Sequence, residues 1–250
     1  RFHIINIMDV ANACYWNAVE LNNEGVTNLE AGRFEEARST FQSSLMLMKF
    51  ALKQEGQRAL GSVESTQGAQ SQQAPEDSSA TSYEWSSNPS EDTPVNGKES
   101  PIVSCTPGST ELDLSGPFIY RRALRIYYPT LTSIPSELIE ESAVVLYNYA
   151  LAHHLEGTPS SQDKARSYYE LALTILGGQR VQLSGNHLIE TAILNNMGQV
   201  CHELCDFCAS QHCFGRLHNV LSTIANSCME SYFDANDWQG LLTNLMLPQP

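Results

Sequence analysis

One five-residue pattern returns in this chain at three places: Leu21-Asn22-Asn23-Glu24-Gly25, Leu146-Tyr147-Asn148-Tyr149-Ala150 and Leu194-Asn195-Asn196-Met197-Gly198. Each copy opens on leucine, carries asparagine in the middle and closes on a small residue. Such recurrence constrains the fold more than composition does, because a unit that cannot bury its apolar face alone must stack on its own copies. Around the first copy, Leu21, Gly25 and Leu29, then Phe34, Ala37, Phe41, Leu45 and Met48, fall at three- and four-residue steps, with Gly32 between the two runs. That spacing predicts two helices joined by a short turn.

The second halves of the copies agree as well: Ala37, Phe41 and Leu45 match Ala165, Tyr169 and Leu173, and then Ser210, Phe214 and Leu217. In this the chain resembles the tetratricopeptide repeat family, whose unit of about 34 residues is a pair of antiparallel helices with small residues at their crossing and large ones between. The resemblance covers residues 18–51, 143–177 and 191–224 and implies an all-α fold, a stack of αα-hairpins in a short right-handed superhelix. Glu24, Asn28 and Ser44 depart from the family pattern, a longer Glu156–Lys164 connection replaces the turn glycine in the second copy, and Cys205 stands at that turn in the third.

Residues 54–116 break the helical text. They are rich in Ser, Gln, Gly and Pro and hold ten acidic residues against Arg58 and Lys98. A stretch so poor in aliphatic side chains cannot offset the entropy of ordering, and it is expected to be a disordered acidic insertion. Thr93, Ser100 and Thr106 in it each precede a proline and are candidate phosphorylation positions. Looping out such a stretch costs only about 3 kcal/mol, so the hairpin of segment 1–53 is expected to stack on those of 117–250 as one domain. "FIYRRALRIYYP" (118–129) and "GLLTNLMLPQP" (240–250) have a strand reading, in which they pair as a small two-stranded ribbon across the stack, and a helical reading. Arg121, Arg122 and Arg125 form a basic cluster whose choices are a solvated face, the acidic insertion or an acidic partner.

A net charge of −14 argues against binding a phosphate backbone, so nucleic acid is not an expected partner. No apolar run reaches the ~20 residues that span a bilayer, and His3 and Asp9 interrupt the first ten residues where a signal-peptide core would lie. Seven unevenly spaced cysteines fit a reducing intracellular compartment, cytoplasmic or nuclear. The chain opens at Arg1, which reads as a fragment of a larger protein.

"VCHELCDFCASQHC" (200–213) has the densest metal-ligand chemistry. Its Cys201-x-x-x-Cys205-x-Phe207-Cys208 spacing matches the iron–sulfur motif of radical SAM enzymes, but those need a parallel α/β barrel, and here the motif runs through a helical hairpin. Cys201 and Cys205 extend the inward stripe of Leu194, Met197 and Gly198, so both are expected to pack as small apolar residues. The alternative is a zinc or iron–sulfur site on Cys201, Cys205, Cys208 and His212, two i,i+4 pairs on facing helices. His153, His154 and His187 have no partner at ligand spacing, and nothing marks a catalytic residue or a cofactor.

The resemblance places partner binding on the leading helices, 16–30, 137–155 and 187–204. These contain no lysine or arginine but carry Glu20, Glu24, Glu30, Glu137, Glu140, Glu141, Glu190 and Glu203. Such a wall suits a basic or neutral peptide rather than an acidic one. Asn23, Asn148 and Asn196 recur at one position of these helices, although asparagine is a poor helix former. A carboxamide both donates and accepts, so it can pair with the N–H and C=O of an extended peptide whatever its side chains, and the resemblance implies such an asparagine ladder. The expected function is therefore a non-enzymatic protein–protein interaction module, a scaffold or adaptor holding an extended peptide on Asn23, Asn148 and Asn196.

Overall fold

A computed structural model describes residues 7–64, 102–104, 118–127, 135–177, 187–226 and 233–246. Seven α-helices dominate them: α1 (Ile7–Glu30), α2 (Phe34–Glu64), α3 (Pro135–Glu156), α4 (Pro159–Gly177), α5 (His187–Glu203), α6 (Phe207–Asn226) and α7 (Ala235–Leu245). Two short strands, β1 (Ile102–Ser104) and β2 (Leu124–Ile126), pair antiparallel with Val103 opposite Arg125. Helix α2 runs through Glu64, beyond the boundary at 53 expected from composition. The disorder expected of the insertion, and its Thr93, Ser100 and Thr106, otherwise lie outside the described residues.

Consecutive helices pair as antiparallel hairpins, α1 with α2, α3 with α4 and α5 with α6, and each hairpin packs on the next through α2 against α3 and α4 against α5. Their crossings repeat one device. A Cβ built on Gly25 would stand 2.6 Å from the Phe41 ring, and one on Gly198 would stand 2.6 Å from the Phe214 ring, so only hydrogen fits where α1 meets α2 and where α5 meets α6. Ser44, at a position where the repeat pattern favours alanine, is wholly buried and donates to the Ala18 carbonyl at 2.6 Å, which meets the need of its hydroxyl.

The leading helices also end alike. Gly32, Gly157 and Cys205 have φ of 73°, 72° and 61° respectively. After α1, Gly32 N–H donates to Leu29 O and Arg33 N–H to Asn28 O; after α5, Cys205 N–H donates to His202 O and Asp206 N–H to Cys201 O. Both are the paired closing bonds of a helix stopped by a left-handed residue. The expectation that Cys205 packs in the core is thus corrected: it is the exposed cap of α5, where the backbone turns away from the inward stripe, whereas Cys201 is buried.

Residues 240–245 are helical rather than the second strand of a ribbon. The Asp234 side chain caps α7 by accepting from the N–H groups of Asn236 and Asp237, and β2 pairs with β1 instead. Among the described residues no helix is long and apolar enough to cross a membrane.

Candidate functional site

Helices α1, α3, α5 and α7 form one wall, and residues 118–127 run along it in extended conformation, from α7 to α1. Four asparagines, one per helix, grip that segment by its backbone. Asn244 of α7 receives Phe118 N–H at 2.8 Å and donates to Phe118 O at 2.6 Å. Asn196 of α5 receives Tyr120 N–H at 2.8 Å and donates to Tyr120 O at 3.0 Å. Asn148 of α3 receives Leu124 N–H at 2.8 Å and donates to Leu124 O at 2.7 Å, and Asn23 of α1 does the same for Ile126 at 2.9 and 2.8 Å. Every clasped residue is even-numbered, because in an extended chain the N–H and C=O of alternate residues face one side.

A second set of amides ties the clasps together. Asn148 also donates to Asn22 Oδ1 at 2.9 Å, and Asn22 donates to Leu124 O at 3.2 Å; Asn244 donates to Asn195 Oδ1 at 2.8 Å, and Asn195 donates to Phe118 O at 3.1 Å. The doublets Asn22-Asn23 and Asn195-Asn196 thus supply one clasp and one bridge each. At the break in the ladder the Tyr147 hydroxyl lies 3.0 Å from the carbonyl oxygens of both Tyr120 and Arg122. Burial, with Tyr169 and Tyr120 nearby, holds Tyr147 well above the ordinary phenol range, so it stays a donor.

The side chains of the segment are also received. Tyr120, Leu124 and Ile126 are fully buried, and Tyr120 meets the edge of Phe233 at 6.0 Å between ring centres. A Cβ on Gly240 would stand 2.3 Å from the Phe118 ring, so the absence of a side chain there makes its seat. Arg122 pairs with Asp234 and, at 2.9 Å, with Asp237. Burial nevertheless pushes Asp237 up to about 6, and Arg122 opposes that rise. Arg125 reaches Glu30 at 2.7 Å, Thr27 at 3.1 Å and the Asn23 carbonyl at 3.0 Å. Of the basic cluster, then, only Arg121 is exposed, and the solvated-face reading of Arg122 and Arg125 is corrected.

Asn23, Asn148 and Asn196 therefore share one wall, as their common register predicts, and their occupant is this chain's own segment. Sequence reasoning missed Asn22, Asn195 and Asn244, and also the acids Asp234 and Asp237, which do more at the segment than most of the expected glutamates. Glu190 instead pairs with Arg216 at 3.0 Å, Glu203 accepts from Gln162, and Glu141 accepts from Tyr15 at 2.5 Å.

The Cys/His cluster is spread out. Cys201 and Cys213 are buried, while Cys205, Cys208 and His212 are exposed. No group of three or more His, Cys, Asp or Glu able to hold a metal ion occurs among the described residues. His153 and His154 are buried in α3, His153 between Tyr149 and Tyr168 and His154 with Nδ1 3.4 Å from the Tyr169 hydroxyl. Burial lowers both to about 4, aided by Arg38 for His153 and by Arg121 for His154, which makes them neutral members of the core. His187 is half-buried at the start of α5. Comparison of the chain with protein-family models, with curated proteins and with solved structures gives no match.

Proposed function

We propose that this chain is a non-enzymatic interaction module, a degenerate tetratricopeptide-like stack whose leading helices hold an extended peptide segment of a partner protein. The observation that carries the reading is the set of clasps on Phe118, Tyr120, Leu124 and Ile126: the hydrogen bonds that each asparagine makes to the segment go to its backbone atoms, so the same wall can serve another sequence in the same conformation. In this reading residues 118–127 are the built-in occupant, and a partner segment takes the wall by replacing them. The repeated Gly25–Phe41 and Gly198–Phe214 crossings and the matching helix ends support the family resemblance.

Selection of extended peptides from a displayed library tests this. Peptides captured by Leu124→Asp, in which the built-in segment is weakened, and lost when Asn148→Asp is added, which keeps the shape of the amide but turns its donor into an acceptor, are the expected result. A selection that enriches nothing, or peptides held equally by the folded variant, overturns the proposal.

A further inference from the structure

The wall has a chemical preference as well as a backbone preference, written in how it treats segment 118–127. The clasped positions all carry large apolar or aromatic side chains, of which Tyr120, Leu124 and Ile126 are fully buried. Phe118 fills the seat over Gly240. Between them the two positions that meet acidic groups both carry arginine: Arg122 at Asp234 and Asp237 on the capped start of α7, and Arg125 at Glu30 near the end of α1. The acids stand at opposite ends of the wall, so a ligand satisfies both only in one register and one direction.

We infer, building on the interaction-module reading, that the partner segment accepted in trans is extended, apolar at the positions of Phe118, Tyr120, Leu124 and Ile126, and arginine-bearing at those of Arg122 and Arg125. It competes with the tethered copy. A tether holds its ligand at an effective concentration near the millimolar range, so a free peptide of equal intrinsic affinity is largely excluded until the built-in segment is weakened or cut loose. An anionic segment is rejected twice, by unpaired guanidinium-binding carboxylates and by direct repulsion from Asp234 and Glu30.

A labelled peptide of sequence Phe-Ile-Tyr-Arg-Arg-Ala-Leu-Arg-Ile-Tyr tests this by fluorescence anisotropy against the full chain, against Leu124→Asp, which places a charge in the buried seat of the built-in copy, and against wild type cut after folding at protease sites inserted in 105–117 and 128–134. The cut protein guards against misfolding of Leu124→Asp. Saturable binding at least about tenfold tighter to the weakened or cut protein than to intact wild type is expected, with the peptide carrying glutamate at the Arg122 and Arg125 positions about tenfold weaker again. Equal binding of the two peptides overturns the charge selection alone. Failure of both peptides to bind Leu124→Asp and the cut chain, with helical content retained, overturns the use of the wall for any peptide in trans.

Discussion

Asn148 holds Leu124 by both of its backbone hydrogen-bonding groups, at 2.8 and 2.7 Å, and it does so with neither residue exposed to solvent. The amide is therefore committed. Its remaining proton goes to Asn22 Oδ1 on the neighbouring leading helix, so one side chain couples the segment to α3 and α3 to α1.

Asn148→Ala should consequently be among the most destabilising single changes on the wall. It strands the Leu124 N–H and Asn22 Oδ1 in a dry site, at about 1–3 kcal/mol per unsatisfied group, whereas a hydrogen bond with access to water is worth about 1 kcal/mol. Asn23→Ala, at a half-buried position on Ile126, should cost about a third as much. Urea denaturation of the two variants checks the order. Equal midpoints would show that burial does not govern the strength of the clasps.

Glycines at the helix crossings separate close approach from mere flexibility. Gly198→Ala puts a methyl carbon 2.6 Å from the Phe214 ring and should cost about 1–3 kcal/mol through overpacking. Gly215→Ala meets nothing within 4 Å on the exposed side of α6 and should stabilise by about 1 kcal/mol, the ordinary gain of alanine over glycine in a helix interior. Opposite signs from residues on the two helices of one hairpin are the expected result, read from thermal midpoints. Pairing Gly198→Ala with Phe214→Leu should recover part of the loss, since the smaller side chain vacates the contact.

How much of this was legible follows from what periodicity records. The leading-helix asparagines stood out because helix propensity gives no reason for their return, and their shared register did predict a shared wall. Periodicity identifies faces, though, not which distant segment lies on a face, and nothing in the spacing of Arg122 and Arg125 points to the distant acids that they meet, Asp234, Asp237 and Glu30. Asn244 was obscured by the strand reading of 240–250. The signal against that reading was present in Asp234-Ala235-Asn236-Asp237, a capping aspartate with an acid in the first turn. Asn22 and Asn195 each sit beside a clasping asparagine, and the doubling itself was the clue to the bridges.

Acid should weaken the fold through α3. His153 and His154 are held neutral with pKa values lowered to about 4, whereas the unfolded chain takes up protons below about 6.5. Stability that is full above pH 6.5 is therefore lost as pH falls toward 4, because the unfolded state binds more protons throughout that window. Around His153 lie Tyr149, Tyr168, Arg38, Lys164 and Glu156, and around His154 lie Tyr169 and Arg121. Asp237, pushed up to about 6, acts in the opposite sense by gaining its proton in the fold first, but it is one group against two. His153→Phe, which keeps the ring contacts and removes nitrogens that have no hydrogen-bond partner, should flatten the dependence. Urea midpoints between pH 7.5 and 5 would show the slope, and an unchanged slope in His153→Phe would sink the assignment.

Cys205 offers the test of repeat equivalence at single-residue resolution. Gly32 and Gly157 adopt left-handed backbone at the ends of α1 and α3 without steric cost, while Cys205 holds φ 61° at the end of α5 with a side chain in place. Left-handed backbone costs a residue bearing a Cβ roughly 1–2 kcal/mol, and glycine gives back about 0.4–1 kcal/mol of that through the greater freedom of its unfolded chain. Since the thiol is exposed, its removal forfeits little packing. Cys205→Gly should therefore stabilise the protein by about 0.5–1 kcal/mol, and Cys205→Val, whose branched side chain tolerates this conformation least, should destabilise it. Paired denaturation curves decide the matter: a Cys205→Gly variant less stable than wild type would mean that the thiol contributes something at this turn beyond capping the helix.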